Sequence, residues 1–137
     1  MIPEDRTYSS THEWVKIDVA VVQMGVTEPL IRTMGPLVGL ELPDPDDEMK
    51  LGIPIAVVES NEHLHEIMPP AAANILEVNK DLEWDLNALA EDPYGEGWLM
   101  KIKVHEPDHL RDLMTPEMYR EHCQDIWGEE LDLNADE

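Results

Sequence analysis

Along the first third of the chain, apolar positions come in short β-branched runs between turn residues. Trp14, Val15 and Ile17 lead into Val19-Ala-Val-Val22, which predicts a strand. Gly25 punctuates. Thr27-Glu28-Pro29 suits a helix start, with Thr27 or Glu28 as cap and Pro29 in the first turn. Leu30, Ile31 and Met34 then fall at helical spacing, and Gly35-Pro36 ends a short helix. Leu37 to Leu42 returns to strand. Pro43 to Glu48 reads as an acidic turn, because its prolines fix φ and remove backbone donors.

The middle of the chain is denser in strand signals. Ile53 to Val58 is an apolar run between Gly52 and polar Glu59-Ser60, and Ile67-Met-Pro-Pro70 forces extended backbone. Ile75 to Asn79 alternates, with Asn79 as a turn residue. Asp81 to Asp92 predicts one helical turn. Asp92-Pro-Tyr-Gly-Glu-Gly97 is a turn cluster with two glycines free to take positive φ. Trp98 to Val104 alternates apolar and charged residues, the pattern of a half-buried strand. Leu110, Leu113 and Met114 then share a helical face. Thr115-Pro116-Glu117 opens a further helix, with a Thr cap, proline in the first turn and acid near the positive end of the dipole. Met114 and Met118 read as helix-packing residues. The expectation is a single, mostly β domain over residues 1–128, with an acidic, disordered tail over 129–137.

Composition narrows the function classes. The 137 residues include 31 acidic and 9 basic ones, for a formal net charge of -22. A phosphate backbone needs a basic face, so nucleic acid is not an expected partner, and neither is an anionic membrane. No segment approaches the ~20 apolar residues of a membrane span, and the N-terminus has no basic region followed by an apolar one. A cytoplasmic protein is the default. Cys123 stands alone and reads as an ordinary cysteine of the last helix, although His122 beside it makes a reactive thiol conceivable. Trp14, Tyr94 and Trp98 read as core, and His12 as structural. Asp44 to Glu48 lacks the spacing and glycine of a calcium loop. No phosphate loop, nucleophile elbow or zinc-protease motif is present, so no catalytic set is expected.

The blocks Ser10-Thr-His-Glu-Trp-Val15, Gly25-Val-Thr27 and Leu40-Glu-Leu-Pro43 are followed in order by Ala56-Val-Val-Glu-Ser60, Glu77-Val-Asn79 and Asp92-Pro-Tyr-Gly-Glu-Gly-Trp-Leu99. From about Tyr8 to Tyr119 this order resembles the H protein family of the glycine cleavage system, the lipoyl-carrying shuttles. The resemblance implies a mostly β fold, a barrel-sandwich hybrid of two antiparallel sheets with short, mainly C-terminal helices. It also implies that a hairpin presents the cofactor.

In that family the lipoyl lysine follows Glu-Ser-Val at the hairpin tip. Aligning Glu59-Ser60 and the later Ile67, Pro70 and Glu77-Val-Asn79 puts Asn61 at the valine and Glu62 at the lysine. The lysines of the chain are Lys16, Lys50, Lys80, Lys101 and Lys103, so no shift of register between Leu51 and Asn79 supplies one. Lipoylation makes an amide from a side-chain amine, and a carboxylate has no such nitrogen. No cofactor is therefore expected, lipoate included. Where the family has small residues, the tip reads Glu62-His-Leu-His-Glu66. Glu59, Ser60, Asn61, His63, His65 and Glu66 are the expected partner contacts. On extended backbone His63 and His65 share a face, opposite Glu62 and Glu66, and could ligate Zn²⁺, Ni²⁺ or Cu²⁺ if two further ligands joined them.

Three functions follow as expectations. The first is a non-lipoylated binding or accessory protein whose partners are proteins of lipoate-linked metabolism, either glycine cleavage components or lipoate ligase-like enzymes. The alternative is a glycine cleavage system H protein taking part in glycine decarboxylation. A further alternative is a metal or redox accessory protein using His63 and His65.

Overall fold

Residues 2–18 and 21–128 are described by a computed structural model. The expected first strand is in fact two: β2 (Glu13–Asp18) and β3 (Val21–Val26) pair antiparallel, and residues 19–20 between them fall outside the described residues. Gly25 does not punctuate. It sits within β3 opposite Trp14, where a Cβ would come within 2.7 Å of the indole ring. The glycine is therefore a seat for the tryptophan.

A six-stranded antiparallel sheet runs β1 (Thr7–Tyr8), β2, β3, β9 (Met100–Val104), β8 (Ala73–Val78) and β5 (Glu48–Met49). The second sheet has three strands in the order β4 (Leu37–Glu41), β6 (Ala56–Ser60) and β7 (Leu64–Ile67). This is the two-sheet, mostly β architecture expected. Alternation sets which face is inside: Met100, Ile102 and Val104 are buried, while Lys101 and Lys103 point away. Met24, Ile75 and Met49 of the large sheet share one core with Val58 and Ile67 of the small one. Each such side chain contributes about 1.5–3 kcal/mol by leaving water.

Helix α1 (Glu28–Met34) drops Leu30, Ile31 and Met34 into that core, the spacing read from sequence. β6 begins later than its apolar run, since Ile53 is exposed and Glu59-Ser60 continue the strand. The stretch 80–92 is longer in structure than one turn: a 3₁₀ turn at Lys80–Glu83 is followed by α2 (Leu86–Glu91). Gly95 and Gly97 do not adopt positive φ. They are small because the Asp92 carboxylate and backbone carbonyls crowd their Cβ positions. The segment before Thr115 is a 3₁₀ turn, Pro107–Asp112, not an α-helix.

A second cluster joins the chain ends. α3 (Pro116–Trp127) is capped by Thr115, whose hydroxyl accepts the Met118 N–H at 3.2 Å. α3 brings Tyr119 and Cys123 against Tyr8 and Trp14. The rings of Tyr8 and Tyr119 stack at 4.7 Å, and Trp14 donates its indole N–H to the Pro93 carbonyl at 2.9 Å. Tyr94 and Trp98 pack at the border of this cluster. Met114 does too, whereas Met118 is half exposed and belongs to neither buried cluster among the described residues. The expected tail at 129–137 lies outside the described residues.

Candidate functional site

β6 and β7 form the expected hairpin, closed by a tight turn over Ser60, Asn61, Glu62 and His63. The Ser60 N–H donates to the His63 carbonyl at 2.8 Å, and the Ser60 hydroxyl accepts the His63 N–H at 3.1 Å. Ser60 is buried and its side chain is spent holding the turn. Asn61 and Glu62 form the exposed tip, flanked by exposed Glu59, His63 and Glu66. Glu62 makes no hydrogen bond or ion pair with another described residue. No lysine lies on the hairpin; each stands on another element or connection. The donor set at the tip is thus carboxylates, imidazole and amide, and none of these forms an amide with lipoic acid.

His63 and His65 do border the same groove, of about 700 Å³. Their roles differ. His63 is exposed, whereas His65 reaches inward and places its Nε2 3.6 Å from Oε2 of Glu13. That nitrogen is buried and has no hydrogen-bond partner among the described residues. Glu13 is fully buried on β2. It persists as a buried acid because donors surround it: the Ser9 and Thr11 hydroxyls on Oε1, and the Met68 N–H on Oε2 at 3.3 Å. Among the described residues no three His, Cys, Asp or Glu side chains converge as a metal-holding group. The further ligands that His63 and His65 would need are not gathered there.

His12 forms the floor between the groove and the second cluster. Its backbone is in the left-handed region, at φ 74°. Its N–H donates to Ser9, and its carbonyl accepts the Thr27 N–H. The ring Nδ1 lies 2.7 Å from the Tyr119 hydroxyl, which lies 2.6 Å from Oγ1 of Thr27. Thr27 therefore caps α1 without using its side chain on the helix. Burial, and secondarily the imidazoles of His65 and His122, hold His12 down at about 4. It is neutral at pH 7 and structural, as expected. Trp127 stacks on it at 4.7 Å. Burial likewise pushes the Cys123 thiol up to about 11, so it is an inert core cysteine.

Comparison with known proteins places these features. The family model described as glycine cleavage H-protein matches residues 6–126. The chain belongs to the glycine cleavage H-protein family. Among its relatives, the glycine cleavage system H protein of Trichormus variabilis is 36% identical over 118 residues, 86% of this chain and 91% of the relative. That of Methylacidiphilum infernorum is 37% identical over 124 residues, 90% and 97% of the two chains. A crystal structure of a glycine cleavage system H protein from Mycobacterium marinum superposes with a TM-score of 0.80 at 31% identity, covering 88% of this chain and 97% of that one. The relatives' names favour the second expected function, a glycine cleavage system H protein, over the first, a non-lipoylated binding or accessory protein. Neither His65 against Glu13 nor the Trp127 lid on His12 was read from sequence in this H-protein family member, because each joins residues far apart in the chain. The one available signal was histidine in place of small residues after the tip.

Proposed function

We propose that this H-protein family member serves glycine cleavage-linked metabolism by docking on its enzymes or on a lipoate ligase, without carrying a covalent arm. The observation that carries the reading is the carboxylate of Glu62 at the exposed tip of a hairpin that has no lysine. Glu62 is assigned to the position that bears lipoate in the family, on the register of Glu59-Ser60 before it and Ile67 after it. Family membership supports the class of partner, and the chemistry of the tip argues against attachment. Glu59, Asn61, His63 and Glu66 are the exposed contacts offered to the partner. The role is that of a binding protein, with no catalytic residue of its own.

Intact-mass measurement after incubation with a lipoate ligase, its acyl donor and ATP tests the reading. Wild type is expected to stay unmodified, and Glu62→Lys is the positive control for an accessible tip. A lipoyl or octanoyl adduct on the wild-type chain, at any residue, overturns it. The names of the relatives favour a second reading, full participation in glycine decarboxylation as the carrier. Glycine-cleavage turnover with this chain as sole carrier separates the two: none is expected, and sustained turnover establishes the second.

A further inference from the structure

The solvent-facing sides of the two sheets differ in how their charges are answered. On the large sheet, Lys16 pairs with Asp5 at 3.2 Å and Lys101 with Glu77 at 3.4 Å, so ammonium and carboxylate close on each other. On the small sheet, alternation turns Leu40, Val58 and Ile67 into the core and leaves Glu41, Val57, Glu59, Leu64 and Glu66 on the opposite side. Register sets these side by side. Glu41 stands opposite Val57, Val57 opposite Glu66, and Glu59 opposite both Gly39 and Leu64. Glu59 leans over Gly39, where an added Cβ would lie 3.8 Å from its Oε2. None of Glu41, Glu59 and Glu66 has an ion-pair partner among the described residues.

The hairpin that carries this face keeps its shape and lacks one atom type. Its turn is held between Ser60 and His63, independently of the side chain at 62. Glu62 then presents a carboxylate at the exposed tip, on a hairpin without an amine. Such a chain offers the surface of a carrier before its arm is attached, not after. An enzyme that works on the arm finds nothing here to work on. The enzyme that forms the amide is the one that reads a bare hairpin. In that step a lysine Nζ attacks an activated acyl carbon, the C–N bond forms, the bond to the leaving group breaks, and the amine's proton passes to solvent. Glu62 supplies no nitrogen, so the activated acyl group stays in place while this chain is bound.

We propose that this chain is a competitive, non-accepting mimic of the substrate of an enzyme that acylates hairpin lysines, docked through Glu41, Glu59 and Glu66 onto a basic rim around that enzyme's active site. The rim is basic because the three carboxylates have no partner within the chain, and cations from outside complete them. A net charge of -22 steers such a cationic surface towards the molecule. Val57 and Leu64, the latter 60% exposed, lie between the carboxylates and supply apolar contact. The inference rests on the docking role proposed above, and names the partner and the effect of docking: attachment to lysine-bearing carriers slows as this chain accumulates.

The test is acyl transfer by a lipoate ligase, with lipoate and ATP, onto the full-length Glu62→Lys variant as acceptor, in the presence of ¹⁵N-labelled wild type. The label assigns any adduct to one chain or the other by mass. Glu62→Lys is expected to be acylated. Wild type in roughly tenfold excess over its dissociation constant is expected to raise the apparent KM about tenfold with kcat unchanged. As competitors, Glu41→Arg and Glu66→Arg, at exposed positions and with unchanged circular dichroism spectra, are expected to inhibit roughly tenfold less well, and added salt to weaken inhibition by wild type. No inhibition by unmodified wild type, a fall in kcat at constant KM, no acylation of Glu62→Lys, or undiminished inhibition by either arginine variant would each overturn the proposal while leaving armless docking on another partner intact. An adduct on the labelled wild type would instead overturn the docking role on which the proposal rests.

Discussion

Burial holds the His12 ring at about 4, and the imidazoles of His65 and His122 push in the same direction. Unfolded, the same ring titrates near 6.5, the ordinary value for histidine. Between those values the unfolded chain binds more protons than the folded one, so stability falls as pH drops through that window. The full difference is worth about 3 kcal/mol. His12→Asn is the informative variant, because asparagine tolerates the left-handed backbone found at this position. Urea midpoints measured across the window are expected to fall less steeply with pH for the variant than for wild type, whatever its absolute stability. Parallel slopes would remove His12 as the titrating group. At this scale the sequence was partly legible. His12 reads as structural because no nucleophile is placed in the sequence to use a His12-Glu13 acid-base pair, but its partners Tyr119 and Trp127 are more than a hundred positions away. No local pattern announces them.

At the scale of elements, two contacts set the cost of small changes. Trp14 is held by its bond to Pro93 and by the Arg6 guanidinium 4.6 Å over its ring, so it cannot yield to a methyl group at Gly25. Gly25→Ala is expected to destabilise by about 1–3 kcal/mol through overpacking, read as a lower denaturant midpoint with unchanged slope. An unchanged midpoint would show that the indole moves freely. Thr115→Ala removes the side-chain bond to Met118 and is expected to cost about 1 kcal/mol in the same assay. Elements with strong local signals were legible: the alternation of β9, the spacing of α1 and the Thr-Pro-Glu start of α3. Gly25, Gly95 and Gly97 were not, because close approach to a distant ring or carboxylate looks, in sequence, like an ordinary turn glycine. The 3₁₀ turns at 80–83 and 107–112 were blurred for a related reason, since their few residues carry too little periodicity to separate from α-helix.

For the molecule as a whole, charge is the dominant property. With 31 acids against 9 bases, the folded surface repels itself, and added salt relieves that strain. The thermal midpoint is expected to rise between roughly 0.01 M and 1 M sodium chloride, as the Debye length shortens from about 30 Å to about 3 Å. A midpoint that fell steadily over that range would mean that favourable ion pairs outweigh the repulsion. The two-sheet architecture and the family were legible at this scale because ordered blocks such as Asp92 to Leu99 are long and hold low-frequency residues in a fixed order. The groove was not, since its walls come from α1, β7 and the end of α3, which only folding brings together.

The closed turn at Ser60 also bears on how this chain can change. The hairpin is fastened by backbone groups and one hydroxyl, and the side chain at position 62 holds nothing else in place. Shape and chemical identity are therefore uncoupled at that point. A thiol, an amine or an aromatic ring could be installed there by substitution with little penalty in folding. The same independence makes position 62 the natural place to tether a reporter.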